Sequence, residues 1–186
     1  MATEHFLNWI EGKAHGMRSM CDLQPFDRLD PFELAEVMEV KTLKPQLVDG
    51  LTPDVLDRLL VRDSTSWSAG TLRGPDGCKY VVMNPTHDIR RQRSSLMEEL
   101  AHVVLGHQPS KLIRLNGVCI RSWKQGQETE AYWVGAAALV ARRVMKGART
   151  LGLTVEDVAE KHGVSVDLVL FRERVLGIRL ERVQYA

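Results

Sequence analysis

The spacing of apolar residues predicts helices in the first third of the chain. In residues 4–20 the apolar side chains recur every three or four positions, which is the period of a helix with one buried face. Asp30-Pro31 and Thr52-Pro53 each place a capping oxygen directly before a proline. This order is typical of a helix start, so we expect a short helix after each pair.

Strand-like segments occupy the middle of the chain. The predicted strands are Val40–Leu43, Trp67–Leu72, Cys78–Met83 and Val118–Ser122. The second and third of these flank the turn-forming residues 73–77, and together they predict a hairpin. The rest of residues 111–123 is expected to be irregular.

Helices are predicted again in the second half of the chain. Residues 90–107 and 128–145 are rich in apolar side chains, and the centre of the second segment is apolar on nearly every face, so it should be buried. Residues 154–161 and 167–176 predict a helix pair joined by a short turn. These patterns predict an α+β fold that is mostly helical, with a small antiparallel or mixed sheet.

Length favours one domain that spans residues 1–186. Within it, residues 1–29 form an N-terminal helical region and residues 150–186 a subregion like a helix-turn-helix. The chain has 25 basic and 24 acidic residues, and this net charge of +1 produces no field that would attract nucleic acid or an anionic membrane. The N-terminus lacks an apolar signal core, and the apolar run 131–141 is too short to cross a bilayer, so we expect a cytoplasmic protein.

Three isolated cysteines give no sign of a thiolate metal site. Cys21, Cys78 and Cys119 form no C-x-x-C pair and are odd in number. This usage fits a reducing compartment and argues against a disulfide framework.

The segment from Glu98 to His102 carries the candidate chemistry. It matches the zinc-peptidase motif H-E-x-x-H except at its first position, where Glu98 replaces histidine. Residues four apart share one helix face, so Glu98 and His102 would point the same way, with Glu99 about 100° round the helix. Glu99 has the position of the general base. Burial of these ionisable groups in an apolar helix implies a metal ion or a hydrogen-bond network.

Simpler interpretations of the same residues stay open. Ser95 and Glu98 match a capping box, and His102 could be a core histidine with a backbone partner. Glu128, at the start of the next apolar helix, is placed to supply a third ligand. Glu130, two residues further on, is a candidate to support or replace a ligand, or it could belong to a solvated face.

Taken together, these segments resemble the ImmA/IrrE family of metallopeptidase-like proteins. The resemblance is carried by Asn84-Pro85-Thr86-His87, Glu99-Leu100-Ala101-His102-Val103-Val104-Leu105-Gly106-His107, Gln127-Glu128-Thr129-Glu130-Ala131 and Ala159-x-x-x-Gly163-Val164-Ser165. It implies an α+β fold, zinc, and endopeptidase action on helix-turn-helix repressors in bacteria and their mobile elements. It also implies that His102 is the second histidine ligand, Glu99 the catalytic base and Glu128 the carboxylate ligand.

The chain departs from the family pattern near the expected metal. Glu98 stands where the family has histidine, Tyr132 where it has Asp or Asn, and the second helix lacks the usual proline near its end. A site of one imidazole and two carboxylates would bind zinc weakly, and its oxygen ligands are better suited to manganese or another divalent ion. His87 is a candidate replacement ligand. His107, about 140° beyond His102 on an ideal helix, should point elsewhere, as a packing residue or one that supports a ligand.

Three functions compete at this stage. The first is a metal-dependent endopeptidase that cuts a partner repressor, and the second is an inactive metallopeptidase fold that acts by protein–protein binding. The third, direct DNA binding through residues 154–176, is less favoured because acidic residues offset its arginines and its apolar residues are needed for packing.

Overall fold

A computed structural model describes residues 3–74, 76–108, 111–115 and 118–182, with backbone alone for the strand residues 111–115 and 118–122. Pro75 in the predicted turn and the side chain of Cys119 lie outside the described residues. The elements are α1 (Glu4–Ser19), α2 (Pro31–Val37), β1 (Val40–Leu43), α3 (Pro53–Asp57), β2 (Ala69–Arg73), β3 (Lys79–Met83), α4 (Ile89–Val104), β4 (Lys111–Leu115), β5 (Val118–Ser122), α5 (Gln125–Leu139), α6 (Arg142–Thr150), α7 (Val155–His162) and α8 (Val166–Leu176). A 3₁₀ turn covers Pro45–Leu47, and a π-helical turn, Arg58–Arg62, continues α3.

The expected caps start the short helices. Asp30 accepts a hydrogen bond from the Phe32 N–H, and Thr52 accepts one from the Val55 N–H. In each case the proline occupies the first helical position, where a backbone N–H would have no acceptor within the helix, so its absence loses no hydrogen bond. The predicted helix starts at Pro31 and Pro53 are therefore confirmed.

The sheet is small and mixed, as the strand pattern predicted. Its order is β1-β3-β2, with β1 parallel to β3 and β2 antiparallel to β3. β4 and β5 form a separate antiparallel hairpin. The strand predicted at 118–122 is confirmed, whereas the expectation of irregular structure at 111–115 is wrong, because that segment pairs with β5 along its length.

Close packing of α4 against α5 forms the centre of the core. Leu96, Met97 and Leu100 on α4 are fully buried, as are Ala131 and Val134 on α5. None of the helices in the described ranges is both long enough and apolar enough to pass through a membrane.

A glycine on α5 sets the distance between these two helices. A Cβ at Gly135 would lie 3.3 Å from the backbone carbon and oxygen of Met97. A side chain at this position would make an unusually tight contact, so even alanine would require the two backbones to move apart by a few tenths of an ångström. The close approach of the two helices brings the start of α5 beside the residues that follow Met97.

The uninterrupted helix predicted from residue 128 to 145 is wrong. α5 ends at Leu139, the backbone angles of Val140 and Ala141 are not helical, and α6 begins at Arg142. No proline causes the break. Instead, Arg172 Nε donates to the Val140 carbonyl at 2.9 Å, and Glu11 Oε2 accepts from the Arg142 N–H at 2.9 Å. Side chains from α1 and α8 thus satisfy the backbone groups that the break exposes.

A buried histidine closes α7. His162 is 2% exposed, and burial with nearby cations lowers its pKa to about 4. The cations are Arg18, Lys161 and Arg28. Because an unfolded histidine titrates near ~6.5, the native state binds fewer protons between about pH 4 and 6.5. The stability that depends on neutral His162 is therefore complete above about pH 6.5 and is lost as the pH falls through about 4.

His162→Leu should make the protein less sensitive to acid. As the pH falls from 7 to 4, the free energy of unfolding of the wild type should fall by up to about 3 kcal/mol more than that of the variant, because leucine takes up no proton. Urea unfolding of both proteins at several pH values measures this difference. A difference that stays constant over this range would contradict the assignment.

Candidate metal centre

Asp88 fixes the start of the helix that carries the motif. Its side chain accepts hydrogen bonds from the backbone N–H groups of Arg90 and Arg91, so it is the N-cap of α4. Ser95 lies in the second turn, well inside the helix. The capping-box interpretation of Ser95 and Glu98 is therefore wrong, and Glu98 needs another explanation.

Three potential ligands meet where α4 faces the start of α5. Glu98, His102 and Glu128 each offer one donor atom, and these atoms lie within 4.8 Å of one another. His102 Nε2 is 3.5 Å from Glu128 Oε2. The structure thus brings together the three residues that the sequence singled out.

The charges of this cluster favour a cation. Burial, together with the charges of Glu128 and Glu99, raises the pKa of Glu98 to about 7. Burial also raises the pKa of Glu128. A divalent ion would relieve the repulsion between these carboxylates, and one imidazole nitrogen with two carboxylate oxygens is a donor set that such ions accept. The residues present therefore fit a bound metal ion.

His102 is held in a fixed, uncharged state. It is 1% exposed, and its ring stacks on Trp123 with centroids 4.2 Å apart and planes 15° from parallel. Burial and the neighbouring His107 lower the pKa of His102 to about 4. Neutral imidazole has the lone pair that a metal ligand requires.

His107 points back to the motif, which contradicts the expectation from helical angles. α4 ends before it, and Gly106 adopts a positive φ of 65°, so the His107 N–H donates to the His102 carbonyl at 3.1 Å. This is a Schellman closure. It places His107 Nδ1 2.9 Å from His102 Nδ1, while His107 Nε2 lies 3.2 Å from Glu130 Oε2. Glu130 is therefore part of this network as well as partly solvated.

Glu99 points towards the sheet. Its carboxylate accepts a hydrogen bond from the hydroxyl of Thr71, which lies on β2 and is 2% exposed. The motif indicated Glu99 from the sequence alone. Thr71 was missed, because a threonine in a strand is ordinary and its partner lies 28 positions away.

His87 lies outside the cluster of donor atoms. Its Nε2 is 3.4 Å from Asn84 Nδ2, and its carbonyl accepts a hydrogen bond from Gln92. Asn84 in turn donates to the carbonyls of Ser64 and Trp67. In this structure His87 belongs to the loop that leads into α4.

Tyr132 and Trp123 also border the site. Burial and the charge of Glu98 raise the pKa of Tyr132, and the Tyr132 ring lies 4.8 Å from that of Phe171. Tyr132 thus anchors α5 to α8 one turn beyond Glu128. No sequence pattern indicated a role for Trp123, because it comes to lie over His102 only through the fold, just before α5 begins.

The C-terminal helix pair is used for packing. Val155, Val158, Ala159, Leu168 and Val169 are buried. Arg172 is fully buried and ion-paired with Glu11, and Arg182 is paired with Glu173. Arg172 is thus engaged inside the protein, whereas Arg182 is paired at the surface. The buried ion pair of Arg172 weighs against DNA binding by residues 154–176.

Comparison with known protein families finds a match for this chain. A peptidase family described as the IrrE N-terminal-like domain matches residues 56–173, which is well over half of the chain and includes both α4 and α5. No curated protein matches.

Proposed function

Because this chain belongs to the family of IrrE N-terminal-like domains, we propose that it is a metal-dependent endopeptidase acting on a helix-turn-helix repressor. The observation that carries the proposal is the meeting of Glu98, His102 and Glu128 beside Glu99. The family supports a metallopeptidase fold and a protein substrate. The choice of a repressor as that substrate follows from the resemblance to ImmA/IrrE proteins.

Each residue has a distinct role in this proposal. Glu98, His102 and Glu128 would hold the ion, which when bound acts as a Lewis acid on the peptide carbonyl. Glu99 takes a proton from the attacking water and returns it to the leaving amine. The Thr71 hydroxyl fixes the orientation of the Glu99 carboxylate.

The donor set predicts weak zinc binding. Zinc sites of this type usually contain two imidazoles, and here one is replaced by a carboxylate that holds a proton up to about pH 7. A metal ion must displace that proton, which weakens binding at neutral pH. Manganese or another ion that prefers oxygen ligands is then a realistic occupant.

The Glu98 carboxylate favours a second candidate function, which is binding of the repressor without cleavage. If the presence of Glu98 in place of a histidine ligand abolishes peptide hydrolysis, the protein acts as a module that holds the repressor intact. The two functions share a partner, but only the peptidase requires Glu99 as its general base.

Metal titration by calorimetry tests the proposal, with zinc and manganese added separately to the purified protein. The wild type should bind one ion, and Glu128→Gln should bind it about tenfold more weakly or worse, since it removes a charged ligand. Glu160→Gln, an equal charge change at an exposed position of α7, should have no effect. Equal affinities for wild type and Glu128→Gln, or no binding at all, would contradict the site.

Incubation with a helix-turn-helix repressor, sought first among those encoded beside the gene, separates an enzyme from a binding module. Glu99→Gln should keep the ion and lose activity by about 100-fold or more, the usual contribution of a general base. Capture of the repressor without cleavage, unaffected by Glu99→Gln, would favour the binding module.

A further inference from the structure

A chain of hydrogen bonds runs from the solvent-facing side of the metal centre to its buried imidazole. Glu130 Oε2 lies 3.2 Å from His107 Nε2, and His107 Nδ1 lies 2.9 Å from His102 Nδ1. The side chain of His107 is 7% exposed and that of His102 is 1% exposed. The far nitrogen of His102, Nε2, is the atom that faces Glu128.

With Glu130 ionised and His107 neutral, the hydrogen-bond geometry decides where the protons in this chain lie. An ionised carboxylate can only accept a hydrogen bond, so the proton between Glu130 and His107 lies on His107 Nε2. In a neutral His107 the other nitrogen, Nδ1, is then an acceptor. The contact between the two Nδ1 atoms therefore requires that the proton lie on His102. His102 Nε2 is left with a lone pair directed at the two carboxylates.

We propose that Glu130 and His107 are positioning residues that fix the tautomer and ring orientation of His102, so that its Nε2 lone pair faces the metal ion. This inference rests on the proposed metal site and adds to it the two residues that prepare its one imidazole. A metal-binding histidine usually donates its other N–H to such a partner, and loss of the partner typically costs about 10–100-fold in metal affinity. With one imidazole in the site, the tautomer of His102 decides whether any nitrogen ligand is available.

The local fold explains how His107 reaches His102 and how Glu130 reaches His107. Gly106 has a φ of 65°, which a residue with a side chain adopts only at a cost, and it turns His107 back over the last turn of α4. Glu130 lies in the second turn of α5, beyond the ligand Glu128. Trp123 stacks on His102 and blocks rotation of the ring. The imidazole is thus restrained by stacking from Trp123 and by a hydrogen bond at its edge.

Nitrogen-15 NMR of the metal-free protein tests the tautomer without reference to activity. His102 should be protonated on Nδ1 in the wild type. In His107→Phe, which keeps a ring but has no acceptor, this preference should be lost, whereas His107→Gln should retain it because its amide oxygen can accept the same proton. A His102 protonated on Nε2 in the wild type, or an unchanged Nδ1 proton in His107→Phe, would overturn the proposal.

Metal affinity gives the second readout. His107→Phe and Glu130→Ala should each weaken binding of zinc or manganese by about 10–100-fold, with His107→Gln close to the wild type. Glu160→Ala on the exposed face of α7 is the control for lost charge. Circular dichroism establishes that each variant is folded, and if His107→Phe is not, Glu130→Ala decides the question. Unchanged metal affinity in folded Glu130→Ala would overturn the positioning role of Glu130 and His107. If the wild type has the expected tautomer but binds no metal, the proposed metal site is wrong.

Discussion

Glu98→His is expected to raise the affinity for zinc by about tenfold or more, a gain of about 1.4 kcal/mol in binding free energy. The substitution creates the His/His/Glu set of this peptidase class at the i, i+4 spacing that α4 already has. It also removes a carboxyl group whose pKa of about 7 makes the proton compete with the metal. Calorimetric titration of zinc into both proteins at pH 7 measures the change.

Cleavage should increase along with affinity. Imidazole is neutral, so the ion would keep more of its charge and polarise the peptide carbonyl more strongly. The double variant Glu98→His, Glu99→Gln should bind zinc equally well and remain inactive, because the base is missing. An unchanged zinc affinity in Glu98→His would mean that Glu98 is not a ligand. Tight binding by Glu98→His without cleavage would favour the binding module.

Glu11→Ala is expected to lower the free energy of unfolding by about 3–5 kcal/mol, which is the usual cost of leaving one partner of a buried ion pair alone. Arg172 is fully buried and forms its ion pair with Glu11. The same carboxylate also accepts the hydrogen bond from the Arg142 N–H. The substitution therefore removes the partner of a buried charge and exposes the break between α5 and α6.

Chemical denaturation of the metal-free protein measures this effect. Glu36→Ala, at an exposed position of α2, is the control and should change the free energy of unfolding by about 0.5 kcal/mol or less. A loss in Glu11→Ala no larger than that of the control would show that the ion pair contributes little.

Local signals predicted the parts of this molecule that depend on neighbours in sequence. The cap-then-proline pairs Asp30-Pro31 and Thr52-Pro53 gave the correct helix starts. The i, i+4 spacing of Glu98 and His102 on one apolar helix indicated that both side chains face the same way. Glu128 was indicated by its position at the start of an otherwise apolar helix that follows shortly after the motif.

The features that the sequence did not reveal depend on contacts between distant segments. α5 ends at Leu139 because Arg172 and Glu11, both far away in the chain, bind the backbone at the break. His107 was misplaced because an ideal helix was extended past Gly106, where the chain turns. Thr71 and Trp123 reach the site only through the positions of β2 and the start of α5.

Anomalous diffraction from crystals soaked with excess zinc or manganese is the most direct test of the metal centre. We expect a peak at ligand distance, about 2.0–2.2 Å for zinc, from His102 Nε2 and from carboxylate oxygens of Glu98 and Glu128. A peak held by other residues would contradict the account, and so would the absence of any peak between α4 and α5 at saturating metal.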